Sequence, residues 1–101
     1  MIKTTQVKAT KRGIRIWQEG KALAEHGFHR GLPYTRSIDN GVITMALGRI
    51  GCGKTLTVAG RSRNGKDLPI IDISATSIDG FPIGSTVQVT YSASLIKMVC
   101  I

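Results

Sequence analysis

The sequence predicts a mainly β protein with one or two short helices, built as tandem ββαββ repeats that share one core in a pseudo-twofold barrel. Three observations carry that expectation: an internal echo, short runs that alternate apolar and polar residues, and glycine-bearing turns between them. Gly27-Phe28-His29-Arg30-Gly31 returns 53 residues later as Gly80-Phe81-Pro82-Ile83-Gly84. Laid over each other without gaps, residues 27–45 and 80–98 agree at Gly27/Gly80, Phe28/Phe81, Gly31/Gly84, Ile43/Ile96 and Met45/Met98. Chance would give roughly one match over such a window. Thr4-Thr5-Gln6-Val7, a basic run and Gly13 are echoed by Thr55-Leu56-Thr57-Val58, a basic run and Gly65. The repeats then cover residues 1–47 and 55–101 of a single domain, joined by a linker at 48–54. A chain of 101 residues is too short for two independent cores, so the halves must share one.

Taken in order, residues 3–9 read as a first short strand, with Thr and Val and a weak alternation. A turn at Gly13 leads into Ile14-Arg15-Ile16-Trp17, a second strand. Between Gln18 and His26 the good helix formers Lys21-Ala22-Leu23-Ala24-Glu25 predict about two turns of helix, which Gly27 stops in the left-handed conformation. Tyr34 to Ile38 and Val42 to Leu47 read as strands around Asp39-Asn40-Gly41, because Asn-Gly readily takes positive φ at both central positions. In the second half, Leu56-Thr57-Val58, residues 68–73, Thr86 to Tyr91 and Leu95 to Cys100 read as strands. Residues 74–79 hold one helical turn at most, with Ser74 as its cap. Seven or eight strands result.

Fourteen Lys and Arg against six Asp and Glu give a net charge of +8, with nine basic and three acidic side chains in residues 1–51. A domain of this balance is drawn to polyanions, of which nucleic acid is the common one. The basic residues gather at two turns: Lys8, Lys11, Arg12 and Arg15 around the first hairpin, and Arg61, Arg63 and Lys66 around its equivalent. With Lys21 and Arg30 beside the helix and its terminating turn, they form the candidate nucleic-acid surface, the two tips being expected on one side of the barrel. Trp17 is expected in the core rather than stacked on a base, Tyr34 and Tyr91 as packing residues, and His26 and His29 as solvent-exposed or DNA-facing.

Gly48-Arg49-Ile50-Gly51-Cys52-Gly53-Lys54-Thr55 fits the G-x-x-x-x-G-K-[ST] pattern of a phosphate-cradling loop. That chemistry needs a helix to begin at Lys54-Thr55, so that its amides meet the phosphates. Leu56-Thr57-Val58-Ala59-Gly60 is β-rich instead, so no nucleotide binding is expected there. Cys52 and Cys100 form no C-x-x-C, and with His26 and His29 they fall short of a zinc spacing, so reduced thiols are expected, with Cys100 near the core. We expect no enzyme, no metal and no cofactor. Apolar runs too short to span a bilayer as a helix, and a start without an apolar signal region, lead to the expectation of a cytoplasmic protein with no membrane partner.

Gly20, Lys21, Leu23, Gly27, Phe28, Gly31 and Ile43 fall where SymE-like proteins carry Gly-Lys-x-Leu, Gly-Phe-x-x-Gly and a last-strand Ile. The chain thereby resembles the AbrB/MazE/SymE swapped-hairpin group, moderately over residues 14–47 and weakly over 68–99. Residues 74–79 lack the helix Leu of that pattern, and Arg36 falls on what should be an apolar strand face. Members pair two ββαββ chains into an interlocked barrel, so a tandem copy implies such a dimer within one chain, present as a monomer with pseudo-dimer symmetry or as a homodimer. The resemblance implies a DNA-binding regulatory or accessory module. Two alternatives stay open: a protein-binding inhibitor or adaptor from a mobile element that meets an acidic protein surface, and a SymE-like RNA-directed toxin.

Overall fold

The computed structural model describes residues 1–49, 51 and 53–101, and of Arg63 the backbone only. Among these residues, ten strands and one helix follow in the order β1 (Ile2–Gln6), β2 (Lys8–Thr10), β3 (Gly13–Glu19), α1 (Lys21–Glu25), β4 (Pro33–Asp39), β5 (Val42–Leu47), β6 (Lys54–Thr57), β7 (Ala59–Arg63), β8 (Lys66–Ala75), β9 (Thr86–Ser92) and β10 (Leu95–Cys100). They build two antiparallel sheets, one of six strands in the order β1-β9-β10-β5-β4-β6 and one of four in the order β2-β3-β8-β7. The fold is mainly β, as the alternation predicts. The expected closed barrel does not form: β1 and β6 end the larger sheet, and β2 and β7 end the smaller one.

One apolar core lies between the sheets. Ile16, Ile71 and Ile73 reach it from the smaller sheet, and Ile43, Met45, Val87, Val89, Ile96 and Met98 from the larger, all essentially buried. Leu23 of α1 and the two turn phenylalanines, Phe28 and Phe81, complete it. Clean alternation sets these directions, since every second residue of a strand faces the same way.

The run read as one first strand is two, because the chain changes sheets at Val7; Val58 does the same between β6 and β7. A buried corner of this kind must find partners for its backbone groups. The Gly-Phe-x-x-Gly turns supply them across the halves. Val7 N–H donates to Ser85 (3.1 Å) and Gly84 N–H to Val7 (2.8 Å), while Val58 N–H donates to Leu32 and Gly31 N–H to Val58 (both 2.9 Å).

Helix α1 is shorter than its propensity suggests, because β3 continues to Glu19 in register with Ile70 of β8. Gly27, at φ 92, closes it as expected, and the Phe28 N–H donates back to the Leu23 carbonyl at 2.9 Å. Asn40 and Gly41 take φ 49 and 76, so the tight β4–β5 turn also forms as read. Residues 74–79 differ from expectation: Ser74 and Ala75 end β8, paired with Arg15 and Ile14, and no helical turn follows. Strand pairing outcompetes a weak helix signal.

Tyr34 and Tyr91 are both buried at 3 % exposure, as expected of packing residues. The Tyr91 hydroxyl donates to Gln18 Oε1, and its ring lies against His26, whose Nδ1–H donates to the Ala22 carbonyl at 2.7 Å. His26 is therefore half-buried in packing rather than facing solvent, whereas His29 is exposed. Burial pushes the Tyr91 phenol up to about 12 and raises that of Tyr34 as well. A raised phenol stabilises the fold fully below pH ~10, its unfolded value, and that stability is lost as pH climbs through the folded value. Spectrophotometric titration at alkaline pH should show tyrosinate appearing well above pH 10 and together with unfolding; two tyrosines ionising near pH 10 in a folded protein would refute this. Cys100 is half-buried beside the core, and Cys52 lies outside the described residues. Among the described residues, no helix is long and apolar enough to cross a membrane.

Candidate nucleic-acid interface

The outward face of the four-stranded sheet is set by the same alternation that builds the core. With Ile14, Ile16 and Gln18 of β3 turned inward, Arg15, Trp17 and Glu19 must point out. Register then places Lys8 opposite Arg15, Ser74 beside Arg15 and Asp72 beside Trp17, while Arg61 lies opposite Leu68 and Arg63 opposite Lys66. The Arg63 side chain lies outside the described residues. Lys11 and Arg12 form the exposed β2–β3 tip, where the Arg12 N–H donates to Thr10 Oγ1 at 3.3 Å.

Trp17 corrects an expectation. It lies half-buried on this outer face and not in the core, because it shares the parity of Arg15. The Arg15 guanidinium sits 4.2 Å over its ring, a cation–π arrangement. Asp72 grips the same guanidinium with both oxygens, at 3.0 Å to Nε and 3.1 Å to Nη2, and Ser74 Oγ donates to Asp72 at 3.1 Å. Across the sheet, Arg61 Nη2 meets Glu19 Oε2 at 3.0 Å. These exposed pairs contribute only about 0–1 kcal/mol each to stability. Their larger effect is to orient two arginines.

The two cationic hairpin tips share this sheet but lie at opposite ends of it, and not side by side as expected. Ile14, next to the first tip, pairs with Ala75, whereas Lys66 stands nine residues back along β8, about 30 Å away at the usual strand rise. Antiparallel neighbours send their hairpins off in opposite directions. At the first end, Thr10, Lys11, Arg12, Arg15, Asp72 and Ser74 line an open groove of about 410 Å³. Near the other end, Lys21 and Lys66 line a second of about 390 Å³ with Asp67, Leu68 and Pro69. Lys21 also stands 3.9 Å from Glu25, with its side chain almost wholly exposed.

Arg30 is separated from this face. It crosses Gly60 closely enough that a Cβ there would meet its Cδ at 2.8 Å, and it pairs with Asp67 at 3.2 Å. Gly60 and Asp67 have the opposite parity to Arg61 and Lys66, so Arg30 sits across the sheet from them. Lys8, Lys11, Arg12 and Lys66 have no ion-pair partner among the described residues. Reading charge runs alone missed Glu19, Asp72 and the outward Trp17; strand parity carried the signal for all three.

At the phosphate-loop pattern, Lys54 and Thr55 lie in β6, paired with Arg36 and Thr35 of β4, while Ile50 and Cys52 lie outside the described residues. Extended backbone at Lys54 presents no helix N-terminus to a phosphate. Equilibrium dialysis with magnesium and ATP or GTP should therefore show no binding in the wild type and no change in Lys54→Ala. Compared with protein-family models, with curated proteins and with solved structures, the chain matches none.

Proposed function

We propose that this chain is a nucleic-acid-binding module, with DNA as the favoured partner, acting as a regulatory or accessory protein of AbrB/SymE type. The outer face of the four-stranded sheet is its binding surface. One observation carries the reading: Lys8, Lys11, Arg12, Arg15, Arg61 and Lys66 lie on that face and its tips, where Glu19 and Asp72 are the acidic side chains of the same strand parity among the described residues. The basic ends lie about 30 Å apart, close to the roughly 34–36 Å of one duplex turn, so each can meet the backbone where it returns to the same side.

The tandem reading is part of this proposal. Both sheet orders read the same when β1–β5 are exchanged with β6–β10. In the two central pairings, Gln18 stands opposite Ile71 and Thr44 opposite Lys97, each pair 53 residues apart, the spacing of the sequence echo. Those are the positions a pseudo-twofold axis would occupy. The reciprocal bonds at Val7 and Val58 support it as well. Such an axis through the smaller sheet places one basic hairpin at each end of the binding face.

Affinity capture from lysate with and without nuclease tests the function. Material released by nuclease is the expected result. A stoichiometric protein partner that survives nuclease and high salt would replace this reading with the inhibitor or adaptor, and RNA cleavage by the purified chain would replace it with the RNA-directed toxin.

A further inference from the structure

Resting on the nucleic-acid reading above, we propose that Arg15 reads guanine on a duplex, and that Asp72 and Trp17 are positioning residues that hold it for that task. Arg15 differs from the other described cationic side chains of the face in being fixed on two sides. Asp72 takes one N–H of Nε and one of Nη2, at 3.0 and 3.1 Å, and Ser74 Oγ steadies the carboxylate at 3.1 Å. The Trp17 ring lies under the guanidinium, with its centroid 4.2 Å from Cζ. A guanidinium has five N–H donors in a rigid fork, so the Nη1–Nη2 end keeps two parallel donors turned away from Asp72. That end matches O6 and N7 of guanine, the pair presented together in the major groove.

Charge argues for the same division of labour. Asp72 cancels most of the field of Arg15, which makes the pair a poor phosphate anchor but leaves its hydrogen-bond geometry intact. Lys8, Lys11 and Arg12 surround it without acidic partners among the described residues, as phosphate contacts require. Arg61, by contrast, reaches Glu19 through a single nitrogen. The groove of about 410 Å³ beside Arg15 is open to solvent, and the Arg15 side chain is 43 % exposed, so a base edge has access to the free end of the fork.

The test is selection from a pool of randomised duplexes, followed by titration of the enriched duplex and of versions with each guanine replaced. Wild type should enrich a guanine and lose affinity roughly tenfold to a hundredfold when it is replaced. Arg15→Gln should erase that difference, because an amide lacks the charged fork of two nitrogens that donates to O6 and N7. Asp72→Asn should also erase it, yet bind the unselected pool as tightly as wild type or more tightly, because a carboxylate has left the surface. Near-UV circular dichroism of both variants checks that they are folded. A base preference that survives Arg15→Gln overturns the inference, as does Asp72→Asn weakening all duplexes alike. Wild-type binding without base preference also overturns it while leaving the proposed function standing, whereas no duplex binding at all overturns both.

Discussion

Phe28→Ala should cost about 3–5 kcal/mol, the range for truncating a fully buried phenylalanine. The ring is 0 % exposed and lies edge-on to Tyr34 at 6.4 Å between centroids. It anchors the turn whose Leu32 carbonyl and Gly31 N–H serve the buried corner at Val58, so the loss reaches both halves. Against a total of about 5–15 kcal/mol for a domain, such a change removes a large fraction of the stability. Phe81, 1 % exposed in the second Gly-Phe-x-x-Gly turn, should cost the same within about 1 kcal/mol when replaced by alanine. Urea unfolding of both variants measures the pair. A cost several-fold smaller for one of them would contradict the proposed equivalence of the turns.

The second large effect is on binding. Neutralising Arg12 and Arg15 together should weaken duplex affinity more than neutralising Arg61 and Arg63, by about 1–3 kcal/mol for each lost groove contact and a flattening of the log–log salt slope by roughly 0.9 for each lost phosphate contact. Arg12 sits on the tip with Lys11 and lines the same groove as Arg15, so the first pair removes two neighbouring contacts. Arg61 is held by Glu19, which already offsets its charge. Titration of both double variants against one duplex at two salt concentrations gives the comparison. Unchanged affinity in both would move the basic face to a protein partner.

Much of this fold was legible where the chemistry is local. Asn40-Gly41 and Gly27 took the backbone conformations that their residue types favour, and the alternation of Thr86 to Tyr91 delivered a strand with Val87, Val89 and Tyr91 inward. What escaped depends on distant partners. Nothing around Val7 announces a change of sheet; the corner exists because Gly84 and Ser85 arrive there to take its backbone groups. Ser74 looked like a helix cap until β3 claimed it as a strand neighbour. Open sheet edges at β1 and β6 likewise follow from long-range register, which no local pattern encodes.

For the candidate site, charge clustering found the cations and parity would have found their geometry. Arg15 and Trp17 are two apart on one strand, which fixes them on one side before any partner is known. Their pairing with Asp72, 57 residues further along the chain, could come only from the register of β3 on β8. The same register moved the two hairpin tips to opposite ends of the face. That turned an expected single patch into a strip.

The most direct measurement is a titration of the purified chain with a duplex of about 20–30 base pairs over a series of salt concentrations. With Lys8, Lys11, Arg12 and Lys66 as the cations of this face and its tips that lack acidic partners among the described residues, the account predicts that log K falls linearly with log salt at a slope of about −3 to −5. Absence of binding at low salt, or an affinity that does not change with salt, would contradict it.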